Sequence, residues 1–158
     1  MNKQLFERYE TEDYDKLLVF NEKTGLFRQI VPTIKMEYYD ASACTITGIG
    51  ARIELKSRDI STFQFPTLFI EDTKLNIVLD YLCYGDAPLY VNFMADGNTV
   101  IFNLDFSKWK VRPEYKKQRT YSPSYQAYEY QGKNYLPISE AFIYDSKGNL
   151  IQKPHKSQ

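Results

Sequence analysis

The stretch that decides the fold is residues 38–58, which read YYDASACTITGIGARIELKSR. From residue 51 to 56, polar and apolar side chains alternate, and this alternation predicts a β-strand. Because successive side chains of a strand point to opposite faces, Glu54 and Lys56 share one face and the apolar residues take the other. Asp40 lies a short loop upstream. The stretch therefore sets an acid and a base side by side, with a second acid able to approach them.

The segments on either side predict alternating helices and strands. Residues 2–22 are predicted to be helical, because Thr11 precedes two acids that suit a first turn. A hairpin that joins residues 16–20 to residues 26–30 is the alternative. The other predicted elements are a strand from Ile34 to Asp40, a turn at Gly48–Gly50, an edge strand within 63–70, a helix from Asp72 to Gly85 with Leu75, Val78, Leu79 and Leu82 on one face, a hairpin of 89–93 with 100–104, a turn at 131–133 and a strand from Ala141 to Tyr144.

Composition predicts one soluble α/β domain over residues 1–151, followed by a frayed tail at 152–158. Hydrophobic residues make up 43% of the 158 residues and charged residues 25%, as in ordinary globular proteins. The formal net charge of zero means that binding to a polyanion would need a local basic patch. Cys44 and Cys83 lack metal-type spacing and are expected to be free thiols in a reducing compartment. Without a signal peptide or a membrane-length apolar run, we expect a cytoplasmic protein.

The polar residues of the opening stretch suit a divalent metal site. Mg²⁺ prefers oxygen ligands, usually one or two carboxylates with waters and phosphate oxygens. Asp40 and Glu54 are the candidate carboxylates, and the backbone carbonyl of Leu55 is a further candidate ligand. Lys56 would orient the attacking water or stabilise charge on a phosphate. A surface ion pair of Glu54 with Lys56 is the competing interpretation.

Three observations favour the metal site over the ion pair. A second Glu-x-Lys occurs at residues 114–116, so the motif alone has little weight, but it does not lie on an alternating strand. Asp40 lies at the end of a predicted neighbouring strand, at loop distance from Glu54. A helix and an apolar strand follow, so the strand is expected to be covered on both faces, where unpaired charge is costly.

This order of elements resembles the PD-(D/E)XK nuclease superfamily, whose fold is called restriction-endonuclease-like. Asp40 matches the first motif acid, although Tyr39 replaces the usual proline, and Glu54-Leu55-Lys56 matches the second motif. The resemblance covers roughly residues 1–150. It extends to small phage-borne nucleases through the segments Tyr39-Asp40-Ala41-Ser42, Ile53-Glu54-Leu55-Lys56-Ser57-Arg58, Phe69-Ile70-Glu71-Asp72-Thr73-Lys74, Leu89-Tyr90-Val91-Asn92-Phe93 and Val100-Ile101-Phe102-Asn103-Leu104.

The resemblance implies a central mixed β-sheet flanked by helices, with a β-rich C-terminal extension. It implies a Mg²⁺- or Mn²⁺-dependent nuclease acting on DNA, an endonuclease before an exonuclease, and a homodimer in many relatives. In a phage-encoded protein the place of action would be the host cytoplasm. A nuclease acting on RNA and a non-catalytic binding protein on the same scaffold are the alternatives.

Two further sets of residues enter through this resemblance and through local charge. Relatives often add an acid from the first helix, and they place a phosphate contact in the helix after the motif strand, where Lys74 lies. A surface lysine in the first turn of that helix is the alternative for Lys74. Candidates for the helix acid are Glu7, Glu10, Glu12 and Glu22. The basic stretch with interleaved aromatic residues suits nucleic acid, and a solvated loop is its alternative. Its candidate contacts are Lys108, Lys110, Arg112, Lys116, Lys117 and Arg119.

Overall fold

The computed structural model describes residues 3–33, 40–80, 82, 85–123 and 125–154, and in the first helix it describes side chains from Glu12 onward. The helices are α1 (Lys3–Thr24) and α2 (Asp72–Leu79). The strands are β1 (Phe27–Pro32), β2 (Ala41–Thr45), β3 (Gly50–Ser57), β4 (Thr67–Glu71), β5 (Ala87–Phe93), β6 (Thr99–Asn103), β7 (Glu114–Ser122), β8 (Ala127–Pro137), β9 (Phe142–Tyr144) and β10 (Leu150–Gln152). Short 3₁₀ turns lie at Phe106–Lys108 and Ile138–Glu140.

A seven-stranded mixed sheet forms the centre of the fold, in the order β1-β2-β3-β5-β6-β9-β10. Strands β3 and β5 run parallel, with Glu54 beside Tyr90 and Lys56 beside Asn92, and α2 lies on the connection between them. The other neighbouring pairs are antiparallel. The strand that carries the Glu-x-Lys motif is therefore interior to the sheet.

Both faces of β3 are covered. On one face, Leu17 and Phe20 of α1 pack with Ile53. On the other face, the buried residues Leu75 and Val78 of α2 belong to a second core. Burying one such side chain contributes about 1.5–3 kcal/mol, so these two layers supply much of the stability of the fold.

A second, three-stranded sheet has the order β4-β8-β7. Strand β4 pairs with residues 133–137 of β8, whereas β7 pairs with β8 along its whole length. Residues 127–132 of β8 therefore pair with β7 alone, as a two-stranded ribbon. We call residues 114–137 the β7–β8 ribbon. It is the main part of the predicted β-rich extension.

The structure confirms the predicted fold class and several of its elements. The first segment is a helix, and not half of a hairpin, because its apolar residues face the sheet at helical spacing. The glycine turn between β2 and β3 and the β5–β6 hairpin are confirmed. So are the edge strand β4, the start of α2 at Asp72 and the last predicted strand, now β9.

Several boundaries were wrong. Asp40 does not end a strand but lies in a bend directly before β2. Residues 34–39 of the predicted strand lie outside the described part of the chain. Helix α2 ends at Leu79, so Leu82 lies beyond it. β1 was predicted only as residues 26–30 of the alternative hairpin. The strands β2 and β10 were not predicted, and β10 reaches Gln152, the first residue of the predicted tail. Within the described residues, no helix is both long and apolar enough to cross a bilayer.

The ribbon accounts for two further errors. The predicted turn at 131–133 lies inside β8, and the basic stretch at 108–119, for which a solvated loop was the alternative, runs into β7. Consequently, the second Glu-x-Lys, at 114–116, also lies on a strand. β7 is exposed along most of its length, so no apolar alternation marks it. Gly132 is required because the ring of Tyr115 lies where a side chain at residue 132 would stand.

Glu140 fixes the chain that leads into this ribbon. Its side chain is 1% exposed, and Oε1 accepts the backbone N–H groups of Lys110 (3.0 Å) and Val111 (2.9 Å). Glu140→Ala would leave two donors without their acceptor, so we expect a loss of about 2–5 kcal/mol. Thermal denaturation should show the melting temperature fall by roughly 5–15 °C. Glu114→Ala, which removes only an exposed carboxylate, should change it little; equal effects would contradict this role.

Candidate functional site

Asp40 and Glu54 come together because β2 begins beside the second half of β3. The backbone N–H of Asp40 donates to the carbonyl of Ile53 (3.0 Å), and its carboxylate oxygen Oδ2 accepts the N–H of Leu55 (2.7 Å). The N–H and C=O of one strand residue point to the same side. The Leu55 carbonyl therefore lies on the edge of β3 that Asp40 occupies, as its predicted role requires.

The two carboxyl groups form an acidic pair. Glu54 is 5% exposed, Asp40 is half-buried, and the two groups are close enough to affect each other's pKa. Burial and then repulsion by Asp40 raise the pKa of Glu54 to about 7, against the attraction of Lys74. Burial also raises the pKa of Asp40, opposed by the hydrogen bond from Leu55. A pair of acids that resists ionisation is a ready site for cationic charge.

Lys74 supplies cationic charge to this pair. Its Nζ lies 3.1 Å from Oε1 of Glu54. Burial alone would lower the pKa of Lys74, but the carboxylates of Glu54 and Glu71 outweigh it and raise the pKa. The structure thus brings Lys74 to the acids, whereas its predicted phosphate contact stays a prediction.

Lys56 lies on the same face of β3 as Glu54 and is half-buried. Burial lowers its pKa, and the neighbouring cations Lys74 and Arg58 lower it further. A lysine held this way gives up its proton more readily than a surface lysine, which suits it to contact a water or a phosphate. Glu54 pairs with Lys74, so the alternative of a simple Glu54–Lys56 surface pair does not describe this site.

An acid of α1 reaches the site, and it is one that the sequence interpretation did not consider. Asp13 Oδ1 accepts the hydroxyl of Ser57 (2.5 Å), which in turn accepts Nζ of Lys16 (2.8 Å). The charge of Asp13 is felt by both Asp40 and Lys56. The signal was available, since Asp13 precedes the buried Leu17 by four residues and so shares its helix face.

The four acids that were proposed from α1 fare differently. Glu12 and Glu22 are exposed, and Glu22 lies near the far end of the helix. The side chains of Glu7 and Glu10 lie outside the described part of the chain. Asp13 therefore joins the candidates for a helix acid, and the choice among Glu7, Glu10, Glu12 and Glu22 stays a prediction.

The donor set fits a hard divalent cation. Two carboxylates and a carbonyl are oxygen donors of the kind that Mg²⁺ and Mn²⁺ take, with water or phosphate completing the shell. Among the described residues, no group of three or more Asp, Glu, His or Cys side chains is placed to bind a metal, so the site offers two carboxylates and not a closed cage. Open coordination positions are what a phosphate substrate would need.

The basic stretch is divided by the strand it forms. Lys108 lies in a 3₁₀ turn, and the backbone at Lys110 is held by Glu140. In β7, alternation places Lys116 on one face and Lys117 and Arg119 on the other. All six predicted contacts, Arg112 among them, are exposed. The structure does not bring the six side chains onto one surface.

A cavity of about 550 Å³ continues from Lys56 to the second sheet. Its walls include Arg58 at the end of β3, Phe69 of β4 and Lys133 with Tyr135 of β8. Lys56 and the ribbon thus line one concave surface. Of the predicted basic contacts, only Lys116 stands on the strand face that borders it.

Comparisons with known proteins are few. No protein-family model matches the chain, and no curated protein matches it. Among solved structures, it is similar to a Holliday junction resolvase, Hjc, from Archaeoglobus fulgidus, with 15% identity and a TM-score of 0.49 over 81% of this chain and 95% of that one. The chain's own elements carry the assignment: a helix, Asp40 beside β3, the Glu-x-Lys strand, α2 and a parallel β5. This order of elements is the one that the sequence resemblance predicts for a restriction-endonuclease-like fold.

Proposed function

We propose that this chain is a metal-dependent nuclease that hydrolyses phosphodiester bonds in DNA, with Mg²⁺ or Mn²⁺ as cofactor. One observation carries the proposal: Asp40 is bound to the backbone of β3 at Leu55, beside the buried carboxyl of Glu54, and Lys56 stands on the same strand face as Glu54. Lys74 offsets one of the two negative charges that the ionised acids would carry, and a divalent cation would offset the rest.

Each residue has a role in this proposal. Asp40, Glu54 and the Leu55 carbonyl would hold the cation. A bound divalent ion would supply polarisation of the scissile phosphate and acidification of a water molecule. Lys56 would orient that water and stabilise the negative charge that grows on the phosphate. Lys74 would neutralise Glu54, and Asp13 would fix the position of Ser57 next to Lys56.

The proposal is tested by incubating the protein with labelled DNA and Mg²⁺ or Mn²⁺. The panel contains single-stranded, duplex, flapped and four-way-branched DNA and a matched RNA. We expect cleavage of at least one DNA form and its loss when a chelator removes the metal. Cleavage of RNA alone would overturn the assignment to DNA, and no cleavage of any substrate would overturn the nuclease.

Three finer features are part of the same proposal. Internal cleavage and assembly as a homodimer rest on the resemblance, and action in the cytoplasm rests on the sequence composition. Closed circular DNA distinguishes internal cuts from degradation at ends, because a circle offers no end. A homodimer would place two symmetric sites so that each cuts one strand. Sedimentation of the protein tests this assembly, because it distinguishes a dimer from a monomer by mass.

A non-catalytic binding protein on this scaffold is the second candidate. Its support is the ribbon, where Tyr125 is 73% exposed and Tyr130 is 71% exposed. Tyrosine is enriched at protein interfaces, because its large ring combines apolar area with a polar tip. A protein without an assembled metal site would show no Mn²⁺ binding that depends on Asp40.

The raised pKa of Glu54 predicts how stability depends on pH. In the unfolded chain Glu54 releases its proton near its ordinary pKa of 4.5, whereas the folded protein holds the proton up to about pH 7. Folding is therefore disfavoured progressively as the pH rises through this window. Metal-free protein should have a lower melting temperature at pH 8 than at pH 5.5. Glu54→Gln, which has no such proton to lose, should reduce this difference; an unchanged difference would contradict the assignment.

A further inference from the structure

The cavity beyond Lys56 has features that the proposed chemistry does not use. It lies between the end of β3, the loop before β4 and the faces of β8 and β7. Its volume, about 550 Å³, lies within the usual range for sites that enclose a small ligand or part of a chain. Because it begins at Lys56, whatever fills it would also lie against the proposed site of cleavage.

The charge of the cavity is positive. Its walls include the cations Lys56, Arg58 and Lys133 and a single acid, Asp59. With three positive charges and one negative charge, the lining carries a formal charge of +2. An anion is therefore the ligand that this lining favours.

The ring of Phe69 makes cation–π contacts with two of these cations. Arg58 Cζ lies 4.7 Å from the ring centroid of Phe69, and Lys133 Nζ lies 4.3 Å from it. Arg58 is also anchored, since Nε donates to Asn92 Oδ1 (3.1 Å) and Nη2 donates to Tyr90 Oη (2.8 Å). The guanidinium is thus preorganised, and both cations contact the same ring before any anion arrives.

A third lysine faces the same surface across the ribbon. Lys116 of β7 stands directly opposite Lys133 of β8 in the strand register. Like charges in directly opposed positions destabilise a sheet. Glu71, the β4 neighbour of Lys133, makes no ion pair with it among the described residues. A bound phosphate would relieve the repulsion between these lysines.

The remaining walls suit an unstacked base. Tyr135 donates its hydroxyl to Gln118 (2.7 Å), and this bond fixes the ring beside the lysines. Phe65 in the loop before β4 lines the cavity and is half exposed. Aromatic side chains beside a cationic groove are the means by which proteins bind single strands. A cavity of this volume cannot enclose a base pair together with its two sugar–phosphate strands.

We propose that this cavity binds an unpaired strand of the nucleic-acid substrate, with its phosphates on Lys133, Arg58 and Lys116 and a base against Tyr135 or Phe65. This inference rests on the proposed function and deepens it. The substrate would be single-stranded, or would carry an unpaired flap or branch that enters the cavity beside Lys56.

The test is fluorescence anisotropy with metal-free protein, so that binding is measured without cleavage. The probes are a labelled 12-nucleotide single strand and the blunt duplex of the same sequence. We expect the single strand to bind at least about tenfold more tightly. Lys133→Ala should weaken single-strand binding about tenfold and reduce the slope of log affinity against log salt by about 0.7.

Matched variants separate this site from general charge. Lys147→Ala removes an exposed lysine from the β9–β10 turn and should leave single-strand binding unchanged. Lys116→Ala provides a second variant at an exposed position if Lys133→Ala lowers the melting temperature. Equal binding of strand and duplex, or equal effects of Lys133→Ala and Lys147→Ala, would overturn the inference.

The two proposals fail in different ways. Cleavage of DNA by a protein that binds strand and duplex equally would preserve the nuclease and overturn the cavity's role. Preferential binding of the single strand without cleavage of any substrate would preserve the cavity's role and overturn the nuclease.

Discussion

Lys56→Ala should reduce the rate of DNA cleavage by about 10²–10⁴-fold, the effect of removing a positioned catalytic side chain. The change removes a half-buried ammonium whose pKa burial and two neighbouring cations already lower. Because the alanine variant keeps the strand and loses no core contact, its melting temperature should change little. The measurement is single-turnover cleavage of labelled DNA at saturating protein, which isolates the chemical step from binding.

Lys108→Ala is a useful comparison for Lys56→Ala, because it removes an exposed lysine that lies outside the cavity. As a predicted substrate contact it would affect binding, and saturating protein removes that contribution from the rate. A Lys56→Ala rate within about threefold of the wild type would exclude Lys56 from the chemistry.

Asp40→Asn should abolish metal-dependent cleavage while leaving DNA binding intact. The amide keeps the shape and the hydrogen bond that the side chain accepts from Leu55, but it removes the charge that would hold the cation. Loss of several kcal/mol of transition-state stabilisation corresponds to a rate decrease on the order of 10³-fold. Single-turnover cleavage and metal-free anisotropy, measured on the same preparation, check both parts.

Metal-free Asp40→Asn should bind DNA as tightly as the wild type or more tightly, since one negative charge is gone from the site. If the variant lost cleavage and DNA binding together, its defect would be structural. If it kept full cleavage, Asp40 would have no part in holding a cation.

The central part of the fold was predictable because it follows simple periodicities. β3 alternates with period two, and the apolar positions of α2 recur at helical spacing, so both were read from the sequence. Their relation in space was also predictable, since a strand–helix–strand unit places two parallel strands side by side.

The errors arise where exposure removes the pattern. The β7–β8 ribbon faces solvent over much of its length, so charged and tyrosine residues occupy positions that give no apolar period. Gly132 indicated a turn, but there it makes room for the ring of Tyr115 across the strands. Such long-range contacts do not show in a local sequence window.

The sequence indicated which residues make up the candidate site, but it did not indicate which of them contact each other. Asp40, Glu54 and Lys56 followed from motif and strand face. The sequence did not show which cation pairs with Glu54, because Lys74 reaches Glu54 from α2 only when the helix packs on the sheet. The sequence also did not show the hydrogen bond between Ser57 and Asp13, because this contact depends on the angle at which α1 crosses β3.

The most direct test of the central claim is calorimetric titration of the protein with Mn²⁺. Asp40 and Glu54 are proposed to hold one divalent ion together. Wild-type protein should therefore bind one ion per chain at this site, and Asp40→Asn and Glu54→Gln should each remove that binding. Lys147→Ala should retain it. No heat of binding in the wild type, or the same affinity in Asp40→Asn, would contradict the account.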